Sequence, residues 1–395
     1  MRILIANWHR TVQGGVERYL SVLIPELLRR SHSIALLHGY RPRSGVTMDP
    51  PEAGLPAWTV EEHGVDEALD KIGAWSPDVV YLHSLESERL ESLLLTRFPA
   101  VLFVHDYSRT CPSGLKCHAF PHAKPCGRRF GPVCLALFYP RRCGGLNPLT
   151  MWQDYQRQSR RFALLLRYQA VLVASVHMRK ELEQHDVDPE RLHVLHLPVA
   201  EATDIGDEDR VPERILFTGR LTEVKGAHYL LRATHEAAAA LNRPLRLTVA
   251  GTGPQQPLLE HLARSLQLEV QFKGWVDDRE RYQLVRESDL VAVPSLWPEP
   301  FGLVGPEAAS AGLPAVAYAS GGIPEWLIAG VSGELAPADP PTVSGLAAAI
   351  VRALKDPDHY RALRAGARSM VRSDSLSEHV AALEHILETA GRRMP

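Results

Sequence analysis

Short apolar runs alternate with helical stretches along most of this chain, and no other feature constrains the fold as strongly. Each run is short and bounded by glycine or polar residues, as expected for buried β-strands. Strands that alternate with helices favour parallel sheets covered by helices on both faces. The predicted strands span residues 3–6, 34–37, 79–82, 101–104, 171–174, 193–197, 215–217, 245–250, 270–272, 290–293 and 315–317.

The chain length and one polar stretch indicate how these strands are divided. A chain of 395 residues is long enough for two or three domains, each with its own core. The polar stretch 201–212 separates two halves that each begin with an apolar strand, a glycine turn and a long helix. We therefore expect an α/β protein with two Rossmann-like, doubly wound domains facing a cleft. The expected divisions are a first domain over 1–205, with an insertion near 107–148, a second domain over 206–372, and a last helix within 373–395.

An acidic pair brackets the nine-residue stretch from Glu299 to Glu307. The middle of this stretch lies where a predicted strand passes to a helix N-terminus. Free N–H groups and the helix dipole at such a junction can receive an anion. The two carboxylates can accept hydrogen bonds from hydroxyls on either side, which suits a nucleotide sugar. Taken alone, the pair is more simply one first-turn helix carboxylate and one loop carboxylate.

A second anion-binding pattern lies upstream, after the predicted strand 215–217. Gly219 is followed by two cations, Arg220 and Lys225. Arginine offers a planar fork of donors and lysine a mobile point charge, which together suit a diphosphate. The alternative is an ordinary strand-to-helix loop with solvated charges.

Together with their surroundings, these residues resemble family 4 of the retaining glycosyltransferases (glycosyl transferases group 1), which have the two-domain GT-B fold. The resemblance is strongest from residue 214 to about residue 337 and fainter in the first half. In this fold the last helix would cross back towards the first domain. The matching stretches are Gly14-Gly15, His105-Asp106, 173–175, Gly219-Arg220 with Lys225-Gly226, 249–253, 272–276, Glu299 with Glu307, and 319–325.

The resemblance implies a role for each matching residue. Cations would neutralise the diphosphate, Glu299 would hold sugar hydroxyls, and Glu307 would hold the ribose hydroxyls. A histidine at a strand end, here His105, would contact the donor sugar, although without the resemblance it is as often structural. The residues expected to act in catalysis are His105, Arg220, Lys225 and Glu299. The residues expected to bind the donor are Gly15, Gly219, Arg220, Lys225, Val276, Glu299, Phe301, Gly302, Leu303, Val304 and Glu307.

The resemblance also implies the reaction. A sugar would pass from a nucleotide-sugar donor to an acceptor in a glycolipid, polysaccharide or metabolite, with retention of anomeric configuration. The cations and a helix dipole would stabilise the departing diphosphate, so no metal or other cofactor is expected for catalysis. The alternative is a nucleotide-sugar-binding protein of this fold that transfers nothing, such as an epimerase or a non-catalytic partner subunit.

One glycine pattern points elsewhere and is set aside. The turn Gly251-Thr-Gly253 begins like a dinucleotide-binding loop but lacks the third glycine. A nicotinamide dehydrogenase is therefore disfavoured.

All five cysteines lie within a single stretch of 33 residues that is rich in proline and glycine. We expect a structured loop without regular elements, and a loop so poor in apolar residues needs a staple. Three alternatives remain: a structural metal (zinc first, an iron–sulfur cluster second), disulfides, or packed free thiols. The residues concerned are Cys111, Cys117, Cys126, Cys134 and Cys143.

Charge is skewed in the same region. From residue 105 to residue 170 there are 11 Lys or Arg and 2 Asp, so 11 − 2 gives +9, while the whole chain carries −2. A solvated face is one interpretation. The other is a surface for an anionic or membrane-linked acceptor, with peripheral membrane contact, on the side away from the nucleotide residues.

The overall composition limits the remaining partners and the location. The overall charge gives no sign of nucleic-acid binding. The sequence begins directly with a predicted strand and has no apolar run of about 18 residues or more. We therefore expect a cytoplasmic protein, peripheral at the inner face of the membrane if the basic region binds lipid.

Overall fold

Two parallel sheets, one in each half of the chain, form the frame of the structure. This computed structural model describes residues 1–12, 14–41, 46–50, 53–144, 147–199, 211–370 and 375–392. The predicted linker 201–212 and the boundary at residue 205 fall almost wholly outside the described residues. The boundary at residue 372 also lies outside them.

The described residues form the following elements. The strands are β1 (Arg2–Asn7), β2 (Ser33–His38), β3 (Ala57–Thr59), β4 (Val79–Ser84), β5 (Ala100–Val104), β6 (Cys117–His118), β7 (Lys124–Pro125), β8 (Ala170–Val173), β9 (Leu192–Val194), β10 (Arg214–Thr218), β11 (Arg246–Ala250), β12 (Glu269–Gly274), β13 (Leu290–Val293), β14 (Ala315–Tyr318) and β15 (Gly333–Ala336). The helices are α1 (Gly15–Arg29), α2 (Val60–Trp75), α3 (Glu88–Arg97), α4 (Val133–Phe138), α5 (Pro148–Leu165), α6 (Val176–Glu183), α7 (Ala227–Leu241), α8 (Gln256–Ser265), α9 (Asp278–Arg286), α10 (Val304–Ser310), α11 (Ile323–Trp326), α12 (Val343–Lys355), α13 (Pro357–Met370) and α14 (Leu376–Arg392).

The first domain contains a seven-stranded parallel sheet in the order β3, β2, β1, β4, β5, β8, β9. At its centre, Ile3 of β1 lies opposite Ile34 of β2 and Val79 of β4. Strands β1, β4 and β5 are apolar and buried along nearly their whole length, because helices cover both faces.

The second domain repeats this plan with a six-stranded parallel sheet in the order β12, β11, β10, β13, β14, β15. Here the central strand is β10, which pairs with β11 and β13. In each sheet the strand order reverses direction beside the central strand, and ligands in open α/β sheets bind beyond the strand ends at such a point. The two doubly wound sheets confirm the predicted fold class.

Several short elements were not predicted from the sequence. Strands β3 and β15 form the edges of their domains' sheets, and both are short runs that include polar residues or glycine. Between residues 111 and 143, strands β6 and β7 form an antiparallel hairpin, followed by α4. The expectation that this cysteine-rich stretch has no regular elements is therefore wrong, because backbone pairing and one short helix order parts of it.

The last helix, α14, contacts α1, β4 and β5 of the first domain although it follows the second domain in the chain. Its buried face includes Val380, Leu383 and Leu387. On the same face His379 forms hydrogen bonds of 2.8 Å with the Tyr19 hydroxyl and 2.7 Å with the His196 carbonyl. The helix thus joins the first domain through an apolar face and a buried polar contact.

Direct hydrogen bonds hold the two domains together where α6 begins. The Ser175 hydroxyl donates to the carbonyl of Pro300. The carboxylate of Glu325 accepts from the backbone N–H groups of Val176 (2.8 Å) and His177 (2.9 Å). A carboxylate from the second domain therefore caps a helix of the first, where free N–H groups and the dipole favour negative charge.

Among the parts of the chain that the structure describes, no helix combines the length and the apolar character needed to span a bilayer.

Close packing between α10 and α11 explains the glycine before Pro306. A Cβ built on Gly305 would lie 2.0 Å from a ring atom of Trp326. That indole is fixed, because its Nε1 donates a 2.6 Å hydrogen bond to the carbonyl of Phe301. The glycine therefore lets the start of α10 lie directly on the ring.

We predict that Gly305→Ala lowers the free energy of unfolding by about 1–3 kcal/mol, because an overpacked methyl must displace the ring or the helix. Urea unfolding would measure the change. Gly73→Ala is the matched control, since a Cβ there meets no atom within 4 Å and α2 should gain about 0.5–1 kcal/mol. Equal stability of Gly305→Ala and the parent protein would contradict the packing argument.

Candidate active site

The predicted site residues lie at the carboxyl ends of strands in both domains. His105 follows β5, and the loop with Arg220 and Lys225 follows β10. Glu299 lies in the segment between β13 and α10. The two edges approach each other: Tyr107 packs edge-on against Trp297, with ring centroids 6.0 Å apart.

A buried ion pair lies at the centre of the second domain's edge. Lys225 Nζ donates a 2.7 Å hydrogen bond to Glu299 Oε1, and the Ser295 hydroxyl donates to the same oxygen. The Lys225 ammonium also lies 5.0 Å from the centroid of the Trp297 ring. Glu299 is only 5% exposed. Burial alone would raise its pKa, but the charge and hydrogen bond of Lys225, with the Ser295 hydrogen bond, hold the pKa of Glu299 below its usual value.

Backbone contacts fix the loop that carries Lys225. A 3₁₀ turn spans Glu223–Lys225, and the N–H of Leu296 donates a 2.8 Å bond to the carbonyl of Val224. The Gly251-Thr-Gly253 turn supports the loop from the other side: a Cβ on Gly251 would lie 1.9 Å from the carbonyl oxygen of Gly219. Gly251 and Gly253 thus allow this turn to pack closely against the backbone of the loop after β10. This packing accounts for the two glycines without a dinucleotide-binding motif.

Arg220 differs from Lys225, because its side chain has no partner among the residues that the structure describes. Its side chain is exposed, and within the described part of the chain it forms no hydrogen bond or ion pair. The guanidinium therefore remains available to an anion next to the Lys225–Glu299 pair.

At the start of α10, backbone N–H groups rather than side chains are available to bind a ligand. In the described residues, no protein atom accepts a hydrogen bond from the N–H of Leu303 or Val304. Gly302 has a φ of 90°, which places it in the region that favours glycine. Phe301 is buried, with its ring stacked on His196 at a centroid distance of 5.6 Å. Any contact of Phe301 with a ligand must therefore use its backbone.

Glu307 lies on α10 between two arginines that the sequence analysis did not single out. Arg281 of α9 forms a hydrogen-bonded ion pair with its Oε2, and Arg18 of α1 lies 4.0 Å from its Oε1. Arg18 also pairs with Asp278 at the start of α9. The carboxylate expected to hold ribose is therefore engaged by cations from both domains. A cavity of about 280 Å³ adjoins this group and is lined in part by Arg18, Arg281 and Glu307.

His105 forms a pair with a second histidine. His105 Nε2 lies 2.9 Å from Nδ1 of His83, and its ring stacks on Phe103 at a centroid distance of 4.4 Å. Burial lowers the pKa of His105 to about 4, with a smaller opposing effect of Asp106. The imidazole is therefore neutral near pH 7 and can serve as a hydrogen-bonding group.

His83 was missed by the sequence analysis although a usable signal was present. It lies at the carboxyl end of β4, which is the neighbour of β5 in the sheet. Adjacent parallel strands end at the same edge, so two histidines at those ends come together. Nε2 of His83 is buried without a hydrogen-bond partner in the structure.

The remaining first-domain candidate is Gly15, which opens α1. The neighbouring Glu17 caps this helix: its carboxylate accepts a 3.0 Å bond from the N–H of Gly14 and another of 3.0 Å from the Asn7 amide. In the second domain Val276 is half-buried beside the exposed Trp275. Gly15 therefore lies at the start of a helix and Val276 just after a strand. Each could contact a ligand through its backbone.

The cysteine-rich insertion reaches the donor side of the junction. Cys117 Sγ lies 3.6 Å from the carbonyl oxygen of Leu296. Leu296 precedes Glu299 by three residues in the same segment. Lys124 forms a 2.7 Å ion pair with Asp339 of the second domain. The expectation that this region lies away from the nucleotide residues is therefore wrong for its hairpin, since β6 and β7 extend across the junction.

The five thiols gather within the insertion as free cysteines. Burial, followed by the charges of Cys111, Cys126, Cys134 and Cys117, raises the pKa of Cys143 to about 12. In the described ranges, no group of three or more His, Cys, Asp or Glu side chains is already arranged to hold a metal ion.

Comparisons with known proteins point to one class of enzyme. Residues 201–370 match the family model described as glycosyl transferases group 1. Over an alignment of 442 positions the chain is 28% identical to a glycogen synthase of Mycobacterium tuberculosis (strain CDC 1551 / Oshkosh), covering 100% of this chain and 97% of that protein. Over 233 residues it is 35% identical to D-inositol 3-phosphate glycosyltransferase 1 of Catenulispora acidiphila, covering 52% of this chain and 54% of that one.

A solved structure extends the likeness to the whole fold. The crystal structure of Anabaena HepE in complex with UDP-glucose superposes with a TM-score of 0.70 at 20% identity, covering 98% of this chain and 100% of that one. The two domains therefore have the GT-B fold. With the family match over the second domain, these findings support a glycosyltransferase of the GT-B type.

Four buried histidines predict how stability depends on pH. Burial lowers the pKa of His38, His105, His228 and His379 to about 4 each. Between pH 6.5 and 4 the unfolded chain binds protons at these positions and the folded chain does not. We therefore predict that the free energy of unfolding falls as the pH falls through this window, by up to about 1.4 kcal/mol per pH unit for each histidine.

Urea unfolding at several pH values would test this, with His379→Gln as the comparison. The variant should show a shallower slope by about one histidine's share. The same slope in both proteins, or stability independent of pH in this window, would contradict the assignment.

Proposed function

We propose that this protein transfers a sugar from a nucleotide-sugar donor to an acceptor hydroxyl. One observation carries the proposal: the loop after β10 carries Lys225, which pairs with Glu299, and Arg220, whose side chain has no partner among the described residues. This arrangement offers two cations to a diphosphate and a fixed carboxylate to sugar hydroxyls. The relatives support the class, since one is a glycogen synthase and another is a D-inositol 3-phosphate glycosyltransferase.

The departing diphosphate is the group that needs the strongest stabilisation. Its negative charge grows as the anomeric C–O bond breaks, and charged groups already in position stabilise that transition state. Arg220 is free to approach the diphosphate, and Lys225 lies beside it in the same loop. The N–H groups of Leu303 and Val304 add donors from the opposite side. This reaction needs no metal at the diphosphate, because these groups supply the positive charge.

The two glutamates divide the rest of the donor between them. Glu299 remains ionised in its buried position and would accept hydrogen bonds from the sugar hydroxyls. Glu307 would accept hydrogen bonds from the ribose, with the backbone near Val276 at the base. To do so it must exchange its contact with Arg281 for the ribose hydroxyls. Donor binding thus replaces an ion pair that links helices α9 and α10.

The first domain would supply the face of the site opposite the nucleotide. His105, neutral and held by His83, would form a hydrogen bond with a sugar hydroxyl. Gly15 would bring the start of α1 close to the donor. Retention of configuration is the part of the proposal that rests on the resemblance to family 4, with the departing phosphate accepting the acceptor's proton.

For the acceptor we propose an anionic or membrane-linked hydroxyl compound, used by a cytoplasmic enzyme at the inner face of the membrane. The insertion exposes Arg128, Arg141 and Arg142, and the Arg142 guanidinium lies 5.1 Å from the centroid of the Phe120 ring. Apolar side chains are also exposed on the helix that follows, α5, including Leu149 and Trp152. Cations mixed with exposed apolar groups suit an acidic, partly apolar surface.

The proposal is tested by a panel of UDP-, GDP-, ADP- and TDP-sugars. We expect one nucleotide class to raise Tm, because binding to the folded state stabilises it by mass action. The same sugar nucleotide should release nucleoside diphosphate slowly without acceptor. Lys225→Ala and Arg220→Ala should each lower kcat/KM by about 100-fold or more, since both charges act mainly on the transition state. Arg220→Ala should leave Tm nearly unchanged, whereas Lys225→Ala should also lower Tm, because it leaves the buried Glu299 carboxylate without its cation.

Arg286→Ala provides the matched control, because this exposed arginine on α9 lies outside the proposed site. Its kcat/KM should equal that of the parent. Equal kcat/KM for Lys225→Ala, Arg220→Ala and the parent would contradict the assigned roles. Donor binding without release of nucleoside diphosphate, with or without a range of acceptors, would favour a non-transferring protein.

We further predict that replacing each of the two glutamates by alanine changes ligand binding in a different way. Glu307→Ala should weaken nucleotide sugars and free nucleoside diphosphate alike, because both contain the ribose. Glu299→Ala should weaken only the intact donor and leave the nucleoside diphosphate nearly unaffected. Calorimetric titration with both ligands would decide, and identical losses in the two variants would contradict the division.

A further inference from the structure

The cysteine-rich insertion contains a cysteine–histidine pair, of which the sequence analysis named only the cysteine. Cys143 Sγ lies 3.4 Å from Nδ1 of His118. Two ligands of one tetrahedral zinc ion, a thiolate at about 2.3 Å and an imidazole nitrogen at about 2.0 Å, stand about 3.5 Å apart. The observed separation therefore equals that of two zinc ligands.

Backbone hydrogen bonds hold this pair in place. Cys117 and His118 form β6, which pairs with β7. The N–H groups of Ala119 and Phe120 both donate to the carbonyl of Arg141, at 2.9 and 3.1 Å, two residues before Cys143. The histidine and the cysteine are 25 residues apart in sequence, so their proximity is produced by these backbone contacts.

The other thiols lie in the same insertion. Cys111, Cys126 and Cys134, and to a smaller extent Cys117, lie close enough to Cys143 for their charges to act on it. Each is half-buried and none forms a disulfide. Cys111 contacts only the Ser113 hydroxyl, at 3.4 Å, among the polar groups of the described residues.

The fifth thiol is engaged elsewhere. Cys117 is buried, and its Sγ approaches two backbone carbonyls: that of His118 at 3.3 Å and that of Leu296 in the second domain at 3.6 Å. A thiol that donates to a carbonyl retains its proton, whereas a zinc ligand must lose it. Cys143 Sγ also faces a carbonyl, that of Leu137, but at 3.9 Å, so Cys117 is the more firmly engaged of the two thiols. Cys117 therefore belongs to the domain contact.

We propose that His118 and Cys143, together with two of the thiols Cys111, Cys126 and Cys134, bind one structural Zn²⁺ ion, and that Cys117 does not. No three of these side chains are yet at coordinating distance in the described residues, so zinc binding must draw two more thiols to the pair. Three thiols would each release a proton to solvent on binding, and the imidazole would bind in its neutral form. A closed set of four protein ligands is typical of structural zinc sites.

The consequence concerns the domain junction. The insertion touches the second domain through Cys117, Tyr107 and Lys124. Its own residues are mostly exposed or half-buried, so it has little apolar core to hold its shape. A zinc ion would fix the hairpin that lies against the Leu296–Glu299 segment.

Elemental analysis of the full-length protein tests the site independently of any transferase activity. Protein expressed with added zinc and purified anaerobically without chelators should contain about one equivalent of zinc. Cys143→Ser and His118→Ala should each contain less than about a tenth of an equivalent, and Cys117→Ser, the matched control, should retain the full amount. Less than a tenth of an equivalent in the parent, stoichiometric iron in place of zinc, or equal zinc loss in Cys117→Ser and Cys143→Ser would overturn the proposal.

Cobalt binding keeps the proposal testable if the variants do not fold. Parent protein stripped by chelator and titrated with Co²⁺ should show thiolate-to-cobalt charge-transfer absorption and the strong visible bands of tetrahedral Co²⁺, saturating at about one equivalent. Added Zn²⁺ should abolish these bands. Cobalt spectra typical of an octahedral, oxygen-ligated ion, or no spectral change at all, would overturn the assignment of thiolate and imidazole ligands.

Discussion

The buried carboxylate of Glu299 is the feature on which the site depends. A charge taken out of water is strongly destabilising unless a partner and hydrogen bonds compensate for it. Here Lys225 and Ser295 supply that compensation, and both come from loops that follow strands of the same sheet. Because the ion pair forms only when the two loops lie next to each other, it also fixes their relative position before any ligand binds. The proposed donor would then meet charges that need little rearrangement, which is the condition for electrostatic catalysis.

Glu307 presents the opposite situation. Its partners, Arg281 and Arg18, come from α9 and from the other domain, and the carboxylate remains partly exposed. Exposed ion pairs contribute little to stability, so a ligand can replace them at small cost. The contacts of Glu307 are therefore exchangeable, whereas the Lys225–Glu299 pair is fixed.

Particular elements show how far the sequence alone could be taken. The central strands β1, β4, β10 and β13 were predictable because burial on both faces requires continuous apolar runs. The edge strands β3 and β15 were not, since their strand conformation comes from pairing with β2 and β14 rather than from composition. In the candidate site, the glycine and the charged residues that follow predicted strands indicated the two loops for which we propose donor binding. The contacts of Arg281 with Glu307 and of His118 with Cys143 join positions 26 and 25 residues apart, and no local pattern marks them.

The return of α14 to the first domain affects how the protein can be made. The N-terminal sheet leaves the ribosome early, but the part of α1, β4 and β5 that α14 covers stays open until residue 392 has been synthesised. During that interval the nascent chain exposes apolar surface that only its own last helix can cover. Completion of the first domain is thus coupled to the synthesis of α14, and chains that end before this helix would be left with an uncovered apolar face for chaperones and proteases to recognise.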